Sequence, residues 1–170
     1  MNIMKIFFES PAKEFGVREV GRKAKISPAT ASKYLKRFSK EKILLRRKEH
    51  NLELFRADIE SDSYRDIKLY YTIRKLRNSG LLRSLDEFYI KPAVVLFGSA
   101  SFGTDTETSD IDIVVISERK DEFPEKGKFE KKFGKEIQMF AVSDLRELKN
   151  EHLINSVLNG IVIQGEIRWI

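Results

Sequence analysis

Two aspartates, Asp110 and Asp112, stand at the entrance of an apolar run in the stretch LFGSASFGTDTETSDIDIVVI, residues 96–116. Side chains alternate along a strand, so both acids project to one side, about 6.5–7 Å apart along the backbone. Ile111, Ile113 and Val115 project to the other side. Two carboxylates this close repel each other unless a cation lies between them. Oxygen-only ligands suit Mg²⁺, with Mn²⁺ as a substitute, and Mg²⁺ held this way shares phosphate oxygens of a nucleotide. Upstream, the apolar run AVVLF ends at Gly98-Ser99. Gly98 permits a close backbone approach after a buried strand. Ser99 offers a hydroxyl, and the N–H groups that open a following helix favour a phosphate. The expected chemistry is the binding of a metal-chelated phosphate.

Composition narrows the alternatives. The chain has 170 residues, 41% of them apolar, with no cysteine and two histidines, His50 and His152. Thiol catalysis, disulfides and cysteine zinc sites are excluded, and a cytoplasmic location is the default expectation. No apolar stretch reaches the length of about 18 residues that a membrane span needs, so no membrane partner is expected. The N-terminal segment lacks the pattern of a signal peptide. The formal charge of +6 is unevenly spread. Residues 1–50 hold 14 Lys and Arg against 5 Asp and Glu, a net +9, whereas the remainder holds 18 against 21, a net −3. A basic N-terminal third joined to a mildly acidic remainder suggests two modules with different partners.

The pattern around the aspartates is similar to a known family. Gly98-Ser99, Gly103 and Ser109-Asp110-Ile111-Asp112 resemble the signature of DNA-polymerase-β-type nucleotidyltransferases, and of the minimal single-domain members most closely. The resemblance covers about residues 81–170. It implies that Asp110 and Asp112 hold Mg²⁺ and act in catalysis, while Gly98 and Ser99 grip the phosphates of an NTP, with ATP the first expectation. A nucleoside monophosphate would then pass to an acceptor hydroxyl. The family's third carboxylate falls on the strand GKEIQMFAV, residues 134–142, and aligns with Gln138. Glu136, two residues earlier on the same face, is the candidate replacement. Phe102 stands where the family often has arginine. Relatives in this family often serve as antitoxins or modify a partner protein or RNA, so a toxin or another protein or RNA acceptor is implied.

The N-terminal third has its own pattern. Residues 2–8 are an apolar-rich helix ended by Ser10-Pro11, because the residue before proline leaves helical geometry. Val17, Val20 and Ala24 recur at helical spacing. Ser27-Pro28 predicts a helix start, with serine as N-cap and proline in the first turn. In that helix Ala31, Leu35 and Phe38 share one face, with Tyr34 beside them. Thr30, Lys33, Arg37 and Lys40 share the other, flanked by Ser32 and Lys36. ILLRRKEHNLELFRADI reads as two strands turning near Glu49-His50-Asn51, with Arg46-Arg47-Lys48 expected as a basic tip. The stretch VREVGRKAKISPATASKYLKRFSKEKILLRRK resembles a winged helix-turn-helix, departing at Lys25 and Lys42, where that family often carries glycine. The resemblance implies binding of double-stranded DNA. Thr30, Lys33 and Lys36 lie on the exposed helix face, with the first two at base edges, and Arg37, Arg46, Arg47 and Lys48 meet phosphates. A winged helix used for protein contacts or dimerisation is the alternative.

The organisation expected is α+β: a winged helix-turn-helix over 1–60, a connecting helix over 61–80, and a nucleotidyltransferase-like domain over 81–170 built on a small mixed sheet. Ile67, Tyr70, Tyr71, Arg74 and Leu76 give the connecting helix its rhythm, and its aromatics suit either a core or a homodimer contact. Asn78-Ser79-Gly80 stops it, and a second helix spans 81–89. One further helix is expected over residues 144–160, capped by Ser143 and stopped by Asn159-Gly160. A final apolar strand follows, and Trp169 is expected to pack. Two functions remain open. One is an active nucleotidyltransferase coupled to a DNA-binding module. The other is a transcriptional regulator whose nucleotidyltransferase domain has lost catalysis and binds nucleotide or a partner protein.

Overall fold

Ser27 and Pro28 start a helix as their types predict: the Ser27 hydroxyl accepts the Thr30 N–H at 3.1 Å, and Pro28 occupies the first turn. The computed structural model describes residues 2–167, so the packing expected of Trp169 lies outside the described residues. The chain divides into two units, one running to Lys68 and the other beginning at Leu69.

The first unit contains α1 (Asn2–Glu9), β1 (Phe15–Gly16), α2 (Val17–Ala24), α3 (Pro28–Lys40), β2 (Leu44–Glu49), β3 (Leu52–Ala57) and the first turns of α4 (Asp62–Ser79). The sheet is antiparallel in the order β1-β3-β2. The two-residue β1 is too short to carry a period and was not expected. Lys25 and Lys42 both adopt the left-handed conformation, at φ 57°. They occupy the turns after α2 and α3, where glycine would cost less strain. Gly21 is favoured for a different reason: a β-carbon there would come within 3.1 Å of the Ile26 carbonyl, a tight approach to backbone. Phe7, Leu35 and Phe55 are fully buried, each stabilising the unit by about 1.5–3 kcal/mol. Tyr34 is 42% exposed, outside the Ala31–Leu35 stripe, and stacks on Phe38. Buried Tyr64 at the start of α4 donates its hydroxyl to the Phe7 carbonyl at 3.2 Å. Along the rest of α4, Leu76 is buried, Tyr71 half-buried and Tyr70 exposed.

The second unit runs α5 (Leu81–Tyr89), β4 (Ala93–Phe97), α6 (Gly98–Ser101), β5 (Ile111–Ile116), α7 (Lys126–Phe133), β6 (Ile137–Val142), a 3₁₀ turn (Leu145–Glu147), α8 (Glu151–Leu158) and β7 (Ile161–Gln164). Its mixed sheet has the order β6-β5-β4-β7, with β5 and β6 parallel and the other pairs antiparallel. The strand alternation predicted for β5 holds. Ile111, Ile113 and Val115 enter the cluster formed with Leu81 and Leu85 of α5 and Phe129 and Phe133 of α7. Val114, on the Asp112 side, enters a second cluster with Val95, Phe97, Val142 and Val157 of α8. The single helix expected over 144–160 is corrected to two pieces. Asp144 caps the 3₁₀ turn, and Asn150 caps α8 by accepting the His152 and Leu153 N–H groups. Asn150 competes with the helix it would have had to sit inside. None of the described helices is long and apolar enough to cross a membrane.

Candidate active site

The site forms where β4 ends and β5 begins. Phe97 pairs with Asp112 across the ladder, and the chain turns at Gly98 with φ 67°. A β-carbon on Gly98 would overlap Oδ2 of Asp112 and lie 3.1 Å from its Cγ. Glycine is required here twice, for the left-handed backbone and for the carboxylate packed against it. Ser101 donates its hydroxyl to the Gly98 carbonyl at 2.7 Å, and Thr104 donates its N–H to the Ser99 carbonyl at 3.1 Å. These bonds hold the short α6 turn in place. The Ser99 hydroxyl has no hydrogen-bond partner among the described residues and is available to a ligand.

Asp110 is exposed and Asp112 half-buried. Burial first, and then the charge of Asp110, hold the Asp112 carboxyl above its ordinary range. Among the described residues no ion pair reaches either carboxylate. Two adjacent oxygen donors with uncompensated charge fit a hard divalent cation such as Mg²⁺, which commonly takes one or two carboxylates and completes its shell with water and phosphate.

β6 supplies the neighbouring wall. Gln138 lies beside Asp112 in the parallel register, at the position where the resemblance leads one to expect a third carboxylate. Glu136 lies just before the strand, exposed, with its carbonyl accepting the Ile111 N–H at 2.9 Å. Among the described residues no group of three or more His, Cys, Asp or Glu is placed to hold a metal. Glu136 therefore does not complete a three-acid cluster with Asp110 and Asp112.

One positioning pair carried no sequence signal. Lys135 reaches Asp105 at 3.0 Å and the Thr106 carbonyl at 2.5 Å, pinning the loop before Asp110 to the start of β6. Both side chains are well shielded, at 16% and 7% exposure. Lys135→Met is expected to destabilise the protein by about 3 kcal/mol, since it removes the lysine from a shielded ion pair and its hydrogen bond to the Thr106 carbonyl. Urea denaturation measures this; a loss below about 1 kcal/mol, the worth of a surface pair, would contradict it.

The residues expected to touch DNA are not equivalent. Arg46 and Arg47 lie in mid-strand on β2 and not at the hairpin tip, which is His50-Asn51. Arg46 is ion-paired with Glu53. Arg47 reaches Glu14 at 2.7 Å and Glu49 at 3.0 Å, and the Glu14 carboxyl is held below its ordinary range by that hydrogen bond. Lys36 pairs with Glu53 at 3.5 Å, Arg37 with Glu41 at 2.8 Å, and Thr30 shares its hydroxyl with Ser27 at 2.8 Å. Lys33 and Lys48 are exposed, with no ion-pair partner among the described residues.

Residues 79–159 match the family model of the nucleotidyltransferase domain. The matched segment runs from the end of α4 through α8 and contains Gly98, Ser99, Asp110, Asp112 and Gln138. It supports a nucleotidyltransferase domain in the second unit. No curated protein matches the chain.

Proposed function

We propose that the second unit binds an NTP, with ATP the first choice, as its Mg²⁺ complex and transfers the NMP group to an acceptor hydroxyl. The observation that carries this is the uncompensated pair Asp110/Asp112 at the sheet end, with Asp112 packed against Gly98. Asp110 and Asp112 would hold Mg²⁺, or Mn²⁺ in its place, and the ion when bound neutralises triphosphate charge. Gly98 lets the chain approach the phosphates, and the Ser99 hydroxyl donates to a phosphate oxygen. The acceptor oxygen forms a bond to the α-phosphorus as the bond to the β-bridging oxygen breaks, and pyrophosphate leaves. With no carboxylate at position 138 to receive it, the acceptor's proton passes to water, so transfer is slow. Incubation with α-labelled ATP, Mg²⁺ and a cell extract as the source of acceptors tests this. Label should enter a protein or RNA, as in an antitoxin that modifies its toxin. No label, together with no ATP binding, would contradict it.

Gln138, in register with Asp112, favours a second reading: a regulator whose nucleotidyltransferase domain binds nucleotide or a partner protein without turning over.

The first unit we read as a winged helix-turn-helix that binds double-stranded DNA, with α3 in the major groove and β2–β3 as the wing. Its net positive charge and the exposed basic face of α3 support this. Contact with about six phosphates gives a slope of log K against log[salt] of about −5. The unpaired lysines should matter most, since Arg46 and Arg47 must give up carboxylates before meeting phosphate. Lys33→Ala and Lys48→Ala are each expected to make the slope shallower by about 1. Fluorescence anisotropy at several salt concentrations measures it, and a flat dependence would overturn DNA binding.

A further inference from the structure

We infer that the first unit carries a second, independent binding site, for a small phosphate-bearing anion. A cavity of about 300 Å³ opens between α1, the following turn, β1 and α2, with Lys5, Lys13, Lys23, Glu9, Ser10 and Phe15 in its lining. That volume is at the lower end of small-ligand sites. Three ammonium groups face one carboxylate, so the lining has a net charge of +2. Lys13 and Lys23 both lie over the buried Phe15 ring, at 5.0 and 5.9 Å from its centroid. The ring's quadrupole attracts each cation. Among the described residues Lys13 is offset only by Glu19, at 3.5 Å, so an anion held in the cavity would be attracted by both lysines.

The local ion pairs leave this capacity intact. Lys5 meets Glu9 at 3.7 Å and Lys13 meets Glu19 at 3.5 Å, both long, and both lysines are exposed. Lys23 has no carboxylate partner among the described residues. The Ser10 hydroxyl is likewise without a hydrogen-bond partner among them, and stands ready as a neutral donor. Two flexible ammoniums and a hydroxyl beside a fixed aromatic wall suit a compact dianion such as a phosphate monoester. A carboxylate ligand would use fewer of these donors. Lys23 sits in the last turn of α2, directly before the Lys25 turn into α3. Occupancy would therefore stiffen the approach to α3. The site involves none of the residues of the Asp110/Asp112 centre, so the inference does not rest on the nucleotidyltransferase reading.

The test is an NMR titration of the full chain with inorganic pyrophosphate in Mg²⁺-free buffer, read at backbone amides. Saturable shifts are expected at residues 9–15 and at Lys23, separately from any at Gly98 and Ser99. Lys13→Gln and Lys23→Gln are each expected to weaken binding by about tenfold to a hundredfold, the range for one charge-assisted hydrogen bond. Glu9→Gln, which removes the lining's one carboxylate without touching a proposed donor, should tighten it. A second arm adds a short DNA duplex. If the duplex shifts the same amides and competes with pyrophosphate, the phosphate comes from the nucleic acid backbone. If it does not, the ligand is a free small molecule. Absence of saturable shifts at 9–15 and 23 with both probes would overturn the site, as would a Glu9→Gln variant that binds no tighter than the wild type.

Discussion

Gln138→Asp is expected to raise nucleotidyl transfer by about 10²–10⁴-fold, the usual worth of general-base assistance. Gln138 lies directly beside Asp112 in the β5–β6 register, so a carboxylate there would face the same space as the aspartate pair. An amide offers that space one neutral oxygen and no affinity for a proton. The acceptor hydroxyl must lose its proton as its oxygen bonds to the α-phosphorus, and aspartate can take it. The change also shortens the side chain by one methylene at an exposed position, which costs little stability. Glu136→Gln, by contrast, is expected to leave wild-type transfer nearly unchanged, because Glu136 stands outside any three-acid group. Release of pyrophosphate from ATP in the presence of acceptor extract measures both variants. Fast wild-type turnover that Gln138→Asp does not improve would show that this strand needs no third carboxylate. Collapse of transfer in Glu136→Gln would show that Glu136 moves in when substrate binds.

The site was legible where chemistry and period coincide. AVVLF is apolar without interruption because β4 is buried on both faces, and its end at Gly98-Ser99 is visible as a change of residue type. IDIVVI alternates acid and aliphatic at its start, so the face of Asp112 can be assigned from the sequence. Gln138 was picked out only through the family resemblance, and in the structure it lies beside Asp112 in the parallel register. The supporting contacts were not legible. Asp105 and Lys135 are thirty residues apart, and nothing local marks a buried acid in a polar loop. Likewise, Arg46 and Glu53 meet because β2 and β3 pair in one register, so a run of arginines that reads as a basic tip is in fact partly neutralised. α7 was missed because KGKFEKKF is half lysine, with Phe129 and Phe133 alone marking its buried face. The break before α8 was missed because Asn150 can be either a helix interior or a cap, and only the N–H groups it meets decide which.

The second large effect concerns the aspartates themselves. Without a cation, the fold must hold Asp112 partly desolvated and beside Asp110, which raises its pKa. A carboxyl with a raised folded pKa favours the fold most when protonated. Its contribution is therefore present at low pH and is lost as pH rises from the ordinary carboxylate value through the raised one. Asp112→Asn removes that loss. The metal-free variant should be at least as stable as wild type at neutral pH, with a flatter pH dependence in the acid range. The same substitution removes a proposed ligand, so on this reading Mg²⁺ and nucleotide should no longer stabilise it. Thermal melts with and without MgATP, across pH, measure both effects. Equal stabilisation of wild type and variant by MgATP would separate Asp112 from the metal.

Calorimetric titration of MgATP into wild type and into the Asp110→Asn/Asp112→Asn double variant is the most direct measurement. Saturable, Mg²⁺-dependent binding is expected in the wild type. In the folded double variant it should be weakened by at least about a hundredfold, since loss of both metal-binding charges removes more than one charge-assisted contact. Equal affinity in the two proteins would contradict the assignment of Asp110 and Asp112 as the nucleotide's metal site.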